Sequence, residues 1–214
     1  MGSVPSPLLK ILPTPHIGAL VAALLLLVSG CGQQAKLLPL APDAVVLAFG
    51  DSLTYGTGAP EADSYPAQLE RLIQRKVVRA GVPGEASAQA LARLPSALEE
   101  HQPQLLLLCI GGNDFLRNLG QAEVAANVRR MIAMAKQKGS DVLLLGTPEK
   151  GLFVSPPKFY AQIAKELGIP YEGKVIGEIL RNSDLKSDPI HPNARGYRLM
   201  AERVAELLKQ SGAL

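Results

Sequence analysis

Between residues 44 and 171 short, nearly unbroken apolar runs alternate with longer stretches of helical periodicity, and this alternation restricts the fold more than any other feature. The runs at 44–49, 76–80, 104–110 and 141–146 read as strands, with a shorter one at 169–171. Helical periodicity covers 64–75, 87–101, 122–138, 158–167, 174–182 and 193–210. A continuous apolar strand is buried on both faces, and a helix between two strands supplies the crossover that a parallel pair requires. The expected fold is therefore α/β, a three-layer α/β/α sandwich around a mainly parallel five-stranded sheet. In such a sheet crossovers run right-handed, and functional groups collect outside the carboxyl ends of the strands.

The length, 214 residues with 47% hydrophobic and 19% charged, suits one globular domain and excludes disordered and fibrous classes. A formal charge of +3 without a block of like sign gives no reason to expect nucleic acid as a partner. Ahead of the domain, residues 17–28 form an apolar run preceded by Lys10 and His16, the core of a signal peptide and too short to span a bilayer comfortably. It ends in Val28-Ser29-Gly30-Cys31, which resembles the lipobox of bacterial lipoproteins. That resemblance implies cleavage before Cys31, lipidation of Cys31 and a lipid-anchored place in the bacterial cell envelope. The expected organisation is a signal peptide at 1–30, a tether at 31–43 and the folded domain at 44–214. The second cysteine, Cys109, falls inside an apolar strand and reads as a small buried hydrophobe.

The first strand runs into Gly50-Asp51-Ser52-Leu53, which places Ser52 just past a carboxyl end, where an exposed nucleophile belongs. A serine hydroxyl needs a base, and the chain has three histidines. His16 lies in the signal segment and His101 at a helix end behind Glu99-Glu100, which leaves His191. In Asp188-Pro189-Ile190-His191-Pro192 the carboxylate of Asp188 is close enough along the chain to hold the imidazole. Acyl transfer also needs donors for a developing oxyanion. The third strand ends in Gly111-Gly112-Asn113-Asp114 and the second in Gly81-Val82-Pro83-Gly84, which offer the Asn113 amide and the Gly84 N–H at the same rim. Singly these are ordinary turn residues; their joint placement makes a site.

The blocks around Ser52, Gly84, Asn113 and Asp188 with His191, in this order, resemble the SGNH or GDSL hydrolase family, notably its bacterial thioesterase I, lysophospholipase and arylesterase members. Leu91-Ala92-Arg93-Leu94-Pro95 and His101-Gln102-Pro103 strengthen the likeness, whereas Arg79 and Pro83 depart from it. The resemblance implies the flavodoxin-like SGNH fold and a carboxylic ester hydrolase acting on small acyl esters or thioesters. Ser52, His191 and Asp188 would be its catalytic residues, the Ser52 N–H, Gly84 N–H and Asn113 amide its oxyanion hole, and neither metal nor organic cofactor would be required. Tyr55, Phe115, Leu116, Leu152 and Phe153 are candidate walls of a substrate pocket. An envelope carbohydrate O-acetyl esterase is the alternative enzyme, and a non-catalytic envelope binding lipoprotein the alternative of another class.

Overall fold

Each apolar run folds as a strand of one parallel sheet. The computed structural model describes residues 1–2, 35–149 and 154–214. Its strands are β1 (Val45–Gly50), β2 (Lys76–Gly81), β3 (Leu105–Cys109), β4 (Asp141–Leu145) and β5 (Tyr171–Glu172). They stand in the order β2-β1-β3-β4-β5 with every neighbouring pair parallel. The chain thus leaves β1 to one side for β2 and returns to its other side for β3. The winding reverses there, and a crevice opens at the carboxyl end of β1.

The helices are α1 (Ser52–Tyr55), α2 (Tyr65–Ile73), α3 (Ser87–His101), α4 (Gly112–Leu116), α5 (Gln121–Gln137), α6 (Lys158–Leu167), α7 (Val175–Arg181) and α8 (Ala194–Gln210). Strand residues alternate between two apolar cores. Val46, Ala48, Leu105, Leu107, Leu143 and Leu145 face one layer with Leu69 of α2, Ile179 of α7 and Met200 of α8. Leu47, Phe49, Leu106, Leu108, Val142 and Leu144 face the other, with Leu94 of α3, Met131 of α5 and Ile163 of α6. Cores on both faces leave no solvent-facing side on the central strands, which is why their sequences are continuous rather than alternating. The α/β/α sandwich expected from the sequence is the fold.

Two expectations change. Residues 35–43 are not a free tether: Leu37 and Leu40 are buried, and the Leu37 and Leu40 N–H groups donate to the carbonyls of Ser211 and Ala213. The Leu38 N–H donates to Asp141 Oδ2 at 2.9 Å and the Ala41 N–H to Gln104 Oε1 at 3.1 Å, which fastens the segment across the amino ends of β3 and β4. The domain accordingly begins at Ala35. The short helices α1 and α4 replace stretches read from the sequence as turns. Cys31, Leu152 and Phe153 lie outside the described residues.

Candidate active site

Gly50 closes β1 level with Gly81 of β2 and Cys109 of β3, and a Cβ on it would collide with the Cys109 carbonyl. The absent side chain lets the strand ends approach and the chain turn at once into α1. Asp51 caps that helix, its Oδ1 accepting the Leu53 N–H at 3.0 Å. Ser52 is the first helical residue, so its N–H has no partner within the helix. Among the described residues neither the Ser52 nor the Gly84 N–H is engaged elsewhere.

Ser52 Oγ lies 3.0 Å from His191 Nε2, and His191 Nδ1 lies 2.7 Å from Asp188 Oδ2. The segment that carries both partners is a tight loop, closed by the Ser187 N–H on the His191 carbonyl at 3.0 Å and bridged from Lys186 to Pro192. Inside it Asp188 Oδ1 accepts the N–H groups of Ile190 and His191, both at 2.9 Å, which leaves Oδ2 aimed at the imidazole. Desolvation tends to raise the Asp188 carboxyl. The His191 hydrogen bond, the two backbone N–H groups and the imidazole charge together hold it below the usual carboxylate range. Asp188 therefore stays ionised beside the ring.

Asn113 sits in α4, and its Nδ2 donates to the Glu85 carbonyl at 3.1 Å with Asp51 Oδ2 at 3.4 Å. Gly84 precedes Glu85 with φ +79, a left-handed conformation that favours glycine, and its carbonyl accepts Arg117 Nη2 at 2.7 Å. Asp114 does not face the crevice: it is buried and accepts both the N–H and the hydroxyl of Ser87, at 2.8 and 2.7 Å. Asp51 is likewise buried, and desolvation raises its carboxyl to about 7 against the Leu53 hydrogen bond, with the charges of Asp114 and Glu85 adding to the rise. Cys109 is free and buried, and burial pushes its thiol well up, which suits a packing role.

Beside Ser52 and His191 opens a cavity of about 180 Å³, walled by Leu53, Leu116, Val154, Ile176, Leu180 and Ile190. Leu116, one of the candidate wall residues, lines this cavity. Phe115 does not: it is buried in the core, tilted against Phe159 at 6.4 Å. Tyr55 is not on the wall either, since its ring lies beneath the Arg79 guanidinium at 4.6 Å while Arg79 also pairs with Glu61. Arg79, one of the departures in the sequence, thus braces the turn after α1 from outside. Ile176 and Leu180 of α7 were missed because their apolar period reads only as core, and Ile190 because it sits between two prolines in a loop.

A hydroxyl joined through an imidazole to an ionised carboxylate is the arrangement of a serine hydrolase. Residues 48–199 match the GDSL-like lipase/acylhydrolase family, and the chain belongs to that family. It is a hydrolase acting on ester bonds. Esterase TesA of Pseudomonas aeruginosa is 30% identical over 86% of this chain and 97% of its own length. Thioesterase 1/protease 1/lysophospholipase L1 of Escherichia coli K12 is 31% identical over 77% of this chain and 83% of its own. Among solved structures, that of TesA superposes with a TM-score of 0.71 at 27% identity, covering 78% of this chain and 99% of the other. AlinE4, an SGNH-hydrolase family esterase, does so with 0.63 at 26% identity over 82% and 100%.

Proposed function

We propose that the protein hydrolyses carboxylic esters or thioesters of small acyl chains through an acyl-enzyme on Ser52. Ser52 Oγ attacks the acyl carbonyl as His191 Nε2 takes its proton, and Asp188 holds the tautomer and steadies the imidazolium. The Ser52 and Gly84 N–H groups and the Asn113 amide receive the oxyanion. His191 then protonates the leaving alcohol or thiol, and a water repeats the sequence to free the acid. The observation that carries this reading is the relay of 3.0 and 2.7 Å from Ser52 through His191 to Asp188 at the edge of an apolar cavity. About 180 Å³ is below the ~300–1,000 Å³ of drug-sized pockets, which favours a small acyl group.

The test is Ser52→Ala. With p-nitrophenyl acetate and butyrate as substrates, kcat should fall on the order of 10⁶-fold, and covalent labelling by a fluorophosphonate should vanish. Activity that survives the substitution sinks the reading. The same proposal includes a lipid anchor on Cys31 in the cell envelope, supported by the apolar run at 17–28 and the small residues before Cys31. In a bacterial host, labelled palmitate should enter the full chain and be absent from Cys31→Ala; equal incorporation refutes the anchor.

A further inference from the structure

Arg93, in the middle of α3, reaches the carboxyl ends of two strands and the loop that carries Gly84. Its Nε and Nη2 grip Glu85 Oε1 and Oε2 at 2.8 and 2.7 Å, a fork that fixes orientation as well as distance. The same Nη2 contacts the carbonyls of Ala80 at 3.2 Å and Gly50 at 3.4 Å, and the guanidinium lies over the Phe49 ring at 4.1 Å. The Glu85 side chain is only 6% exposed and that of Arg93 30%, so the carboxylate is shielded from water on the side away from the guanidinium's open edge.

Gly50 and Glu85, both touched by Arg93, lie within two residues of a proposed oxyanion donor. Gly50 lies two residues before Ser52, whose N–H is one donor. Glu85 follows Gly84, whose N–H is the second. The Glu85 carbonyl accepts Asn113 Nδ2 at 3.1 Å and so turns the third donor. Asn113 Nδ2 carries two hydrogens, and the longer contact, 3.4 Å to Asp51, is the one that an oxyanion can replace while the Glu85 bond keeps the amide in place.

From this geometry we infer that Arg93 is a positioning residue that sets the oxyanion donors against one another through Glu85. The inference rests on the esterase reading above and adds to it a residue that never touches substrate. Oxyanion stabilisation depends on donors fixed before the charge appears, and a displacement of about 1 Å costs ~10²-fold.

The experiment is a double-mutant cycle of Arg93→Met and Asn113→Ala, with kcat and KM measured on p-nitrophenyl butyrate and the melting temperature of each variant recorded. Arg93→Met is expected to lower kcat ~10–100-fold with KM within ~3-fold. In the Asn113→Ala background the further loss should shrink to ~3-fold or less, because Asn113 is the one donor that the Glu85 carbonyl holds directly and the displacement acts mainly through it. Arg93→Lys, which keeps one hydrogen bond to Glu85, should recover part of kcat. An equal factor in both backgrounds, or a loss confined to KM, overturns the inference. If Arg93→Met does not fold, Glu85→Gln takes its place in the cycle, with a ~5–10-fold loss and the same non-additivity expected. Fluorophosphonate labelling separates the two levels: a parent protein that labels at Ser52 but gives an additive cycle loses only the role of Arg93, whereas a parent that does not label loses the esterase reading itself.

Discussion

Asp188, which meets His191, keeps 43% of its side chain in solvent, whereas Asp51 and Asp114, on either side of the oxyanion arm, are 1% and 2% exposed. The carboxylate of the relay is held by the backbone of its own loop; around the oxyanion arm Asp51 likewise takes the Leu53 N–H of its own turn, but Glu85 is held by Arg93 and Asp114 by Ser87 from another element, and Ser87 in turn accepts Asn127 Nδ2 at 3.0 Å. The relay has to pass a proton in every cycle, and nearby water lowers the cost of the changing charge. The oxyanion arm has to hold still, and buried polar groups with every partner in place resist movement. One half of the site is built to change protonation and the other to keep its shape.

Substitutions in each half should separate these demands. The largest effect belongs to Asp188→Asn, which retains Oδ1 for the Ile190 and His191 N–H groups but turns a donor toward Nδ1: kcat should fall ~10³–10⁴-fold with the melting temperature nearly unchanged. A fall in stability instead would mean that the exposed half is also a structural one. Asn113→Ala should cost ~10²–10³ in kcat with little change in KM; an effect under threefold removes Asn113 from the oxyanion hole.

The last effect, absent at low pH and reached only gradually, is one of stability and tests the buried half. Burial raises the Asp51 carboxyl from its ordinary 3.8 to about 7, so over that interval the folded chain keeps a proton that the unfolded chain releases. The contribution of this group to stability is complete below the lower value and is lost as pH rises to the upper one. Asp51→Asn is neutral throughout, so its stability relative to the parent should climb across that interval by up to ~4 kcal/mol and then level off. Urea unfolding of both proteins at a series of pH values reads this directly, and a flat difference means that Asp51 ionises in the fold without penalty.

The same contrast decides what could be read from the sequence. The sheet was legible because its strands are continuous apolar runs, and α3, α5, α6 and α8 because they are long enough for their period to repeat. Helices of four and five residues, such as α1 and α4, carry no period and read as turns. Ser52, Asn113 and Gly84 were legible as residue types placed past strand ends, His191 by elimination among three histidines and Asp188 by its place three residues before it, and the structure joins Ser52, His191 and Asp188 by hydrogen bonds and brings Asn113 onto the same cavity. The Arg93–Glu85 fork was not, because its members belong to a helix and the loop before it, and no local spacing pairs them. Tyr55 and Phe115 were misread because an aromatic residue near a nucleophile looks alike in sequence whether it faces a cavity, a cation or the core.

The docking of residues 35–43 gives the domain two unlike rims. Chain enters at the amino ends of β3 and β4, one strand length of roughly 17 Å from the rim where Ser52 and His191 stand. The segment at 35–43 thus joins the sheet at the rim opposite the mouth of the cavity, so a change at Leu37 or Leu40 loosens the fold from the side that the site does not use.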